Sequence, residues 1–194
     1  MFRARISLLV KQDRVEAWVC DDLLKPVKSR VKVMSFDLKG SRKIWREKEV
    51  VVEANSSKLC VELSLSELNI RDRLSDFLAC VFKPEDNEPR YDVVFLERVK
   101  HISLPKPRIR MMIDKKGEQR MSSNWFSNRV AKACEVRIRG VKADLSDNFF
   151  DLPPSIEKRI LIKLGKSLSR LELKKRITIS HYSGTLQPSL KLSP

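Results

Sequence analysis

Apolar and polar residues trade places at every second position in short runs along this chain, and that alternation restricts what it can fold into more than any other feature. The first hundred residues hold seven such runs: RISLLVKQ, RVEAWVCD, RVKVMSFDL, KIWREKEVVVE, SKLCVELSL, DFLACVFK and YDVVFLERV. In RVKVMSF, Val31 and Val33 alternate with Lys32, and in KLCVELSL the residues Leu59, Val61 and Leu63 share one face. A period of two is the signature of a strand with one buried face and one wet face. Between the runs stand turn formers: Asp21-Asp22, Lys25-Pro26, Lys39-Gly40-Ser41, Asn55-Ser56-Ser57 and Pro84-Glu85-Asp86-Asn87. Short strands at a spacing of roughly 10 to 14 residues predict an immunoglobulin-like β-sandwich. SLSELNIRDRLS, between the fifth and sixth runs, predicts a short turn at most, with Ser66 as its cap.

HISLPKPRIR follows, and Pro105 and Pro107 within it interrupt regular pairing. Beyond it the pattern resumes in IRMMID, QRMSSNWFS, KACEVRIRG, ADLSDNFFDL, EKRILIKL and RLELKKRITIS, all read as strands. The chain of 194 residues is therefore expected to be all-β, with two tandem immunoglobulin-like sandwiches over 1–103 and 104–194. No apolar run approaches the roughly 18 to 20 residues of a membrane-spanning helix. MFRARISLLVKQDR lacks a small-residue cleavage site after its apolar part and reads as a first strand rather than a signal peptide.

The formal charge of +15 raises the question of a polyanion partner. Residues 1–100 hold 20 Lys and Arg against 17 Asp and Glu, whereas residues 101–194 hold 20 against 8. The excess lies in the second half, spread over alternate strand positions, as on the solvated face of a sheet. No longer basic block than Lys174-Lys175-Arg176 occurs, and no nucleic-acid-binding signature is present, so nucleic acid is disfavoured as a partner.

Catalytic chemistry finds few candidates. Two histidines, His101 and His181, and no GxSxG, HExxH, GxGxxG or P-loop motif leave no nucleophile with its base, no metal site and no cofactor site. The four cysteines, Cys20, Cys60, Cys80 and Cys134, lie far apart inside apolar runs and read as buried thiols, which fits a reducing, cytoplasmic setting. Asp147 and Asp151 in SDNFFDLPP form a carboxylate pair of the type glycosidases need. Four residues of extended chain, however, place both on one face more than about 10 Å apart, whereas opposed carboxylates come from different elements. The stretch reads better as structure: Asp147 and Asn148 bond nearby backbone, Phe149 and Phe150 supply apolar area, and Asp151-Leu152-Pro153-Pro154 turns the chain. Trp18, Trp45 and Trp125 could serve as stacking platforms for sugar rings, Trp45 and Trp125 foremost, but each reads better as the anchor of a sandwich core or a domain contact.

SDNFFDLPP, followed by an alternating strand, resembles the C-terminal Ig-like domain of β-mannosidases of glycoside hydrolase family 2. There an Asp-Asn-aromatic-Phe-Asp-Leu stretch precedes a Pro-containing turn. RVEAWVCDDLLKPVKSRVKVMSFDLKGSRKIWREKEVVVEANSSKLCVELSLSEL resembles the accessory sandwich that precedes it in that family, and HISLPKPRIRMMI resembles the connection between the two. The likeness runs from about residue 4 to about residue 182. Two positions depart from the pattern: Asp21 or Asp22 stands where Asn is usual, and Pro154-Ser155 stands where a glycine follows the turn. The resemblance implies a non-catalytic accessory region that buttresses a catalytic (β/α)₈ barrel. The family's catalytic glutamates sit on that barrel, and no βαβα pattern for it occurs here. The barrel, in cis or as a separate chain, is then the partner, and no catalytic residue carries over. The alternatives are a free-standing carbohydrate-binding module and a polyanion-binding basic sandwich.

Overall fold

The computed structural model describes residues 4–85 and 88–182, so Asp86 and Asn87 of one expected turn lie outside the described residues. The chain divides into two compact units, Met1–His101 and Ile102–Pro194.

The first unit carries β1 (Arg5–Lys11), β2 (Arg14–Asp21), β3 (Val27–Asp37), β4 (Arg42–Val52), β5 (Ser56–Ser64), β6 (Asp76–Pro84) and β7 (Arg90–Phe95). These are the seven alternating runs. They form a three-stranded sheet in the order β1-β2-β5 and a four-stranded sheet in the order β4-β3-β6-β7, with antiparallel pairing throughout. Ile6, Leu8, Val15, Ala17 and Val19 of the first sheet meet Val31, Val33, Leu78, Cys80 and Phe82 of the second in one core. Two sheets closing on a shared apolar layer make a β-sandwich. The sheets are also tied by a polar link, since Asp92 of β7 accepts from the Leu8 backbone N–H of β1 at 2.9 Å.

Two details of this unit refine the sequence reading. The cap of the turn after β5 is Ser64 rather than Ser66: Ser64 Oγ accepts from Glu67 N–H at 3.2 Å while Glu67 accepts from Ser64 N–H at 2.7 Å. This is the reciprocal capping arrangement without a helix to follow it. Asp21, at one departure from the family pattern, is buried, and its Oδ1 accepts from Leu23 N–H at 2.9 Å, closing the turn after β2.

The second unit carries β8 (Ile109–Lys115), β9 (Arg120–Ser127), β10 (Ala131–Ile138), β11 (Ala143–Leu145), β12 (Phe150–Leu152), β13 (Lys158–Leu164), α1 (Arg170–Arg176) and β14 (Ile177–Tyr182). Sheets in the orders β11-β13-β9-β8 and β12-β10-β14 enclose a core of Met121, Trp125, Cys134, Val136, Phe150, Leu152, Ile160, Ile162 and Leu173. This too is a sandwich.

Two strand expectations are corrected here. RLELKKRITIS alternates as a strand would, yet Arg170–Arg176 is helical and only Ile177–Tyr182 is extended. Ser169 caps the helix, with Glu172 reaching back at 2.8 Å, and that local pairing outweighs a weak alternation. ADLSDNFFDL is not one strand but two, β11 and β12, on opposite sheets. The chain crosses between them at Phe149, whose φ of 58° breaks the extended run.

Candidate functional site

The crossing loop from Ser146 to Pro154 holds the carboxylates that sequence reasoning singled out, and the structure assigns each polar group in it a local partner. Asp147 accepts from Asn148 N–H at 2.8 Å through one oxygen and pairs with the Lys158 ammonium of β13 through the other. Asn148 lies against β10. Its Oδ1 accepts from Val136 N–H at 2.8 Å and its Nδ2 donates to Val136 C=O at 3.1 Å. A primary amide held in this way stands in for one residue of a neighbouring strand, because it presents the same donor and acceptor pair as a peptide. Asp151 of β12 accepts from Ala133 N–H at 2.9 Å and pairs with Lys132 at 2.6 Å.

Those bonds fall where β10 is irregular. Its registers with β12 and with β14 both slip between Ala131 and Glu135, and Ala133 has a φ of 49°. A bulge leaves a backbone N–H without a ladder partner, and the Asp151 carboxylate supplies one. Asn148 and Asp151 therefore clamp β10 on either side of Cys134, while Phe150 is buried between them in the core and Phe149 stands 67% exposed. Lys158 lies 5.4 Å from the Phe150 ring centroid and joins the loop's charge to its aromatic floor. The clamp on Val136 and the bulge at Ala133 were not legible in the sequence, because both depend on contacts across 12 to 18 residues.

This geometry does not make an acid–base pair. Asp147 turns to β13 and Asp151 to β10, each already bound to a lysine, and neither faces the other across an open cleft. Asp76 of the first unit, 2% exposed, likewise accepts from Arg71 N–H at 3.0 Å and from Lys43 at 2.6 Å. Open grooves among the described residues include one of about 490 Å³ beside Lys28, Arg30, Glu49 and Lys83, and one of about 540 Å³ beside Met112, Asp114, Arg170, Leu171 and Lys174. Neither groove is lined by a histidine or a cysteine. Among the described residues no three His, Cys, Asp or Glu side chains gather in a way that could hold a metal.

The tryptophans separate. Trp125 is 3% exposed in the second core, and its Nε1 donates to Ser123 Oγ at 2.9 Å, so of its two readings the core anchor holds and the sugar platform is corrected: its ring is enclosed by protein. The signal was available, since Trp125 shares its strand face with Met121 and lies opposite the core-forming run of β13. Trp45 is 47% exposed near the middle of the edge strand β4, with the Lys32 ammonium 4.9 Å from its ring centroid. Beside it Arg30 and Lys32 both bond Glu47, at 3.3 and 3.1 Å. Trp18 donates to Glu16 at 2.9 Å, and that bond holds the Glu16 carboxyl below its ordinary range.

All four cysteines are free thiols. Burial pushes the Cys60 and Cys80 thiols up and raises Cys134 to about 12, whereas Cys20 is half-buried.

Comparison with known proteins accounts for both units. Residues 13–101 match the family described as the mannosidase Ig/CBM-like domain, and residues 104–185 match an Ig-fold domain of mannosidases. No curated protein matches the chain in sequence. Among solved structures, the β-D-mannosidase of Dictyoglomus thermophilum superposes with a TM-score of 0.82 at 18% identity, over 93% of this chain and 22% of that one. The exo-chitosanase CsxA of Amycolatopsis orientalis superposes with a TM-score of 0.57 at 10% identity, over 92% of this chain and 25% of that one. The chain thus spans between a fifth and a quarter of the length of the enzymes it superposes on.

Proposed function

This chain belongs to the Ig-like domains of the mannosidase family, and from that membership we propose that it is the non-catalytic accessory region of a β-mannosidase-like glycoside hydrolase. Its role is to buttress a catalytic barrel, carried in cis or by a separate chain, and to shape the surface around it. One observation carries the reading. The carboxylates with the right chemistry for glycoside cleavage, Asp147 and Asp151, are each engaged in fastening the loop, Asp147 to Lys158 of β13 and Asp151 to Ala133 and Lys132 of β10, so the loop has a structural use for each acid. The four free thiols support a reducing, cytoplasmic setting.

The test is an activity comparison. The purified chain is assayed on aryl β-mannosides beside material recovered from the native cells through a tag on this chain. No turnover is expected from the chain alone, and turnover is expected from the native material. Turnover by the pure chain that vanishes in Asp151→Asn would refute the reading.

The exposed Trp45 favours a second reading, a carbohydrate-binding module whose platform lies on β4. Titration with mannooligosaccharides separates the two. Binding heat that disappears in Trp45→Ala supports the module, and the absence of heat in the parent chain rejects it.

A further inference from the structure

Phe149 is the residue of the crossing loop whose side chain the core does not use: its backbone N–H donates to Asn148 Oδ1 at 3.1 Å, but its ring stands outside the apolar layer. Its backbone has a φ of 58°, a left-handed conformation that a bulky side chain adopts only when its surroundings impose it. Its side chain is 67% exposed, so the isolated domain bears backbone strain and leaves aromatic surface in water. The neighbours on both sides enforce this arrangement. Asn148 is fastened to both backbone groups of Val136, Phe150 is buried, and Asp151 is fastened to Ala133 and Lys132. The ring is thus held outward on a fixed base, which lowers the ordering cost of inserting it into a partner.

The surroundings select the kind of partner. A stacked sugar needs directional polar groups aimed beside the ring, yet Asn148, Asp147 and Asp151 are each turned to partners within the domain. A polyanion needs available cations, yet Lys132 and Lys158 are each paired with a carboxylate of the loop. A neutral, rigid aromatic tip suits an apolar pocket on a protein. We propose that Phe149 is the anchor through which the second domain docks on the catalytic part of a glycosidase. The proposal rests on the accessory reading given above. It takes that occupant because the chain covers only 22% of the mannosidase it superposes on, so most of such an enzyme stands available as the docking surface.

The experiment places p-benzoylphenylalanine at Phe149, and separately at Met112, which is 57% exposed on β8, in the chain expressed in its native cells. After irradiation the crosslinked peptides are mapped by mass spectrometry. The expected result is a crosslink from Phe149 to a barrel-bearing glycosidase sequence, in the same polypeptide or another, about tenfold above the yield from Met112. Crosslinks to that barrel from Met112 alone, or equally from both positions, overturn the anchor and leave the accessory reading standing. Crosslinks to no glycosidase from either position, or to glycan from Phe149, overturn both. In parallel, Phe149→Gly in the isolated chain is expected to raise the melting temperature by relieving the strained φ. A fall would show that the ring serves the fold, which also overturns the anchor.

Discussion

Asn148 offers the sharpest way to ask whether the SDNFFDLPP loop is a structural clamp. Its amide makes two bonds to one residue of β10, at 2.8 and 3.1 Å, in a strand whose Val136 and Cys134 side chains are buried. Asn148→Ala removes both bonds and leaves the Val136 N–H and C=O to find water at the margin of the core. At about 1 to 1.5 kcal/mol per net bond the cost is about 2 to 3 kcal/mol. For a domain of this size that lowers the melting temperature of the second unit by roughly 10 to 20 °C.

Asn148→Asp is the discriminating variant, because it has the same shape. One oxygen still accepts from Val136 N–H, but the other now faces the Val136 carbonyl where a donor stood. That carbonyl disfavours the charged form, so the introduced carboxyl titrates above its ordinary value of about 3.9. A group raised in the folded state contributes fully below the unfolded value and loses its contribution as pH rises through the folded one. The variant is therefore expected to fall short of the parent by about 2 to 3 kcal/mol at pH 7 and to recover most of the deficit near pH 4, where its proton is donated to Val136 C=O. Calorimetric or denaturant unfolding of parent and variant at matched pH reads this directly. A variant as stable as the parent at pH 7, or a gap that does not narrow on acidification, would refute the clamp.

Ser155 has a φ of 62° where the family pattern carries glycine, so Ser155→Gly is expected to stabilise the second unit by about 1 kcal/mol in the same assay. Ser169→Ala removes the helix cap and is expected to cost about 1 kcal/mol. The Glu172 half of that capping box, held below its ordinary value of 4.5 mainly by the Ser169 backbone N–H, adds stability above that value that is lost as pH falls through its folded pKa, so Glu172→Gln should flatten the acid limb of stability against pH. In a thiol-reagent time course on the native chain, Cys20 is expected to react first and Cys60, Cys80 and Cys134 only at the rate of unfolding, since burial disfavours their thiolates. Equal rates at all four would contradict the core placement.

The sandwiches were legible because the evidence for them is local. Val31 and Val33, or Ile160 and Ile162, lie two positions apart, and period-two burial follows from the pleat alone. The same parity would have separated the tryptophans, since Trp125 falls in step with Met121 whereas Trp45 falls out of step with Val50 and Val52. The helix at Arg170–Arg176 was missed although its signal was local too: Ser169 and Glu172 have the capping-box spacing, but the alternation of Leu171 and Leu173 drew the reading towards a strand. Leu173 is buried and Leu171 is 72% exposed, as a helix with one inward side chain per turn requires. The bulge at Ala133 gave no local signal, because a small residue at φ 49° in the middle of a strand is set by Asn148 and Asp151 across the sheet.

This division explains why the loop reads ambiguously as sequence. A pair of carboxylates around two aromatics has the composition of a sugar-cleaving site, and composition does not say which way a side chain turns. The turn at Phe149 sends the two acids to different sheets, and each meets a lysine there. Had the loop evolved for stability alone, the residue at the left-handed position would be glycine or asparagine, which adopt that conformation at little cost. Phenylalanine there strains the backbone and exposes a ring, while the residues around it make enough bonds to hold the arrangement. A clamp that satisfies β10 and at the same time fixes a strained position beneath a side chain the core does not use is what display of that side chain to a partner requires.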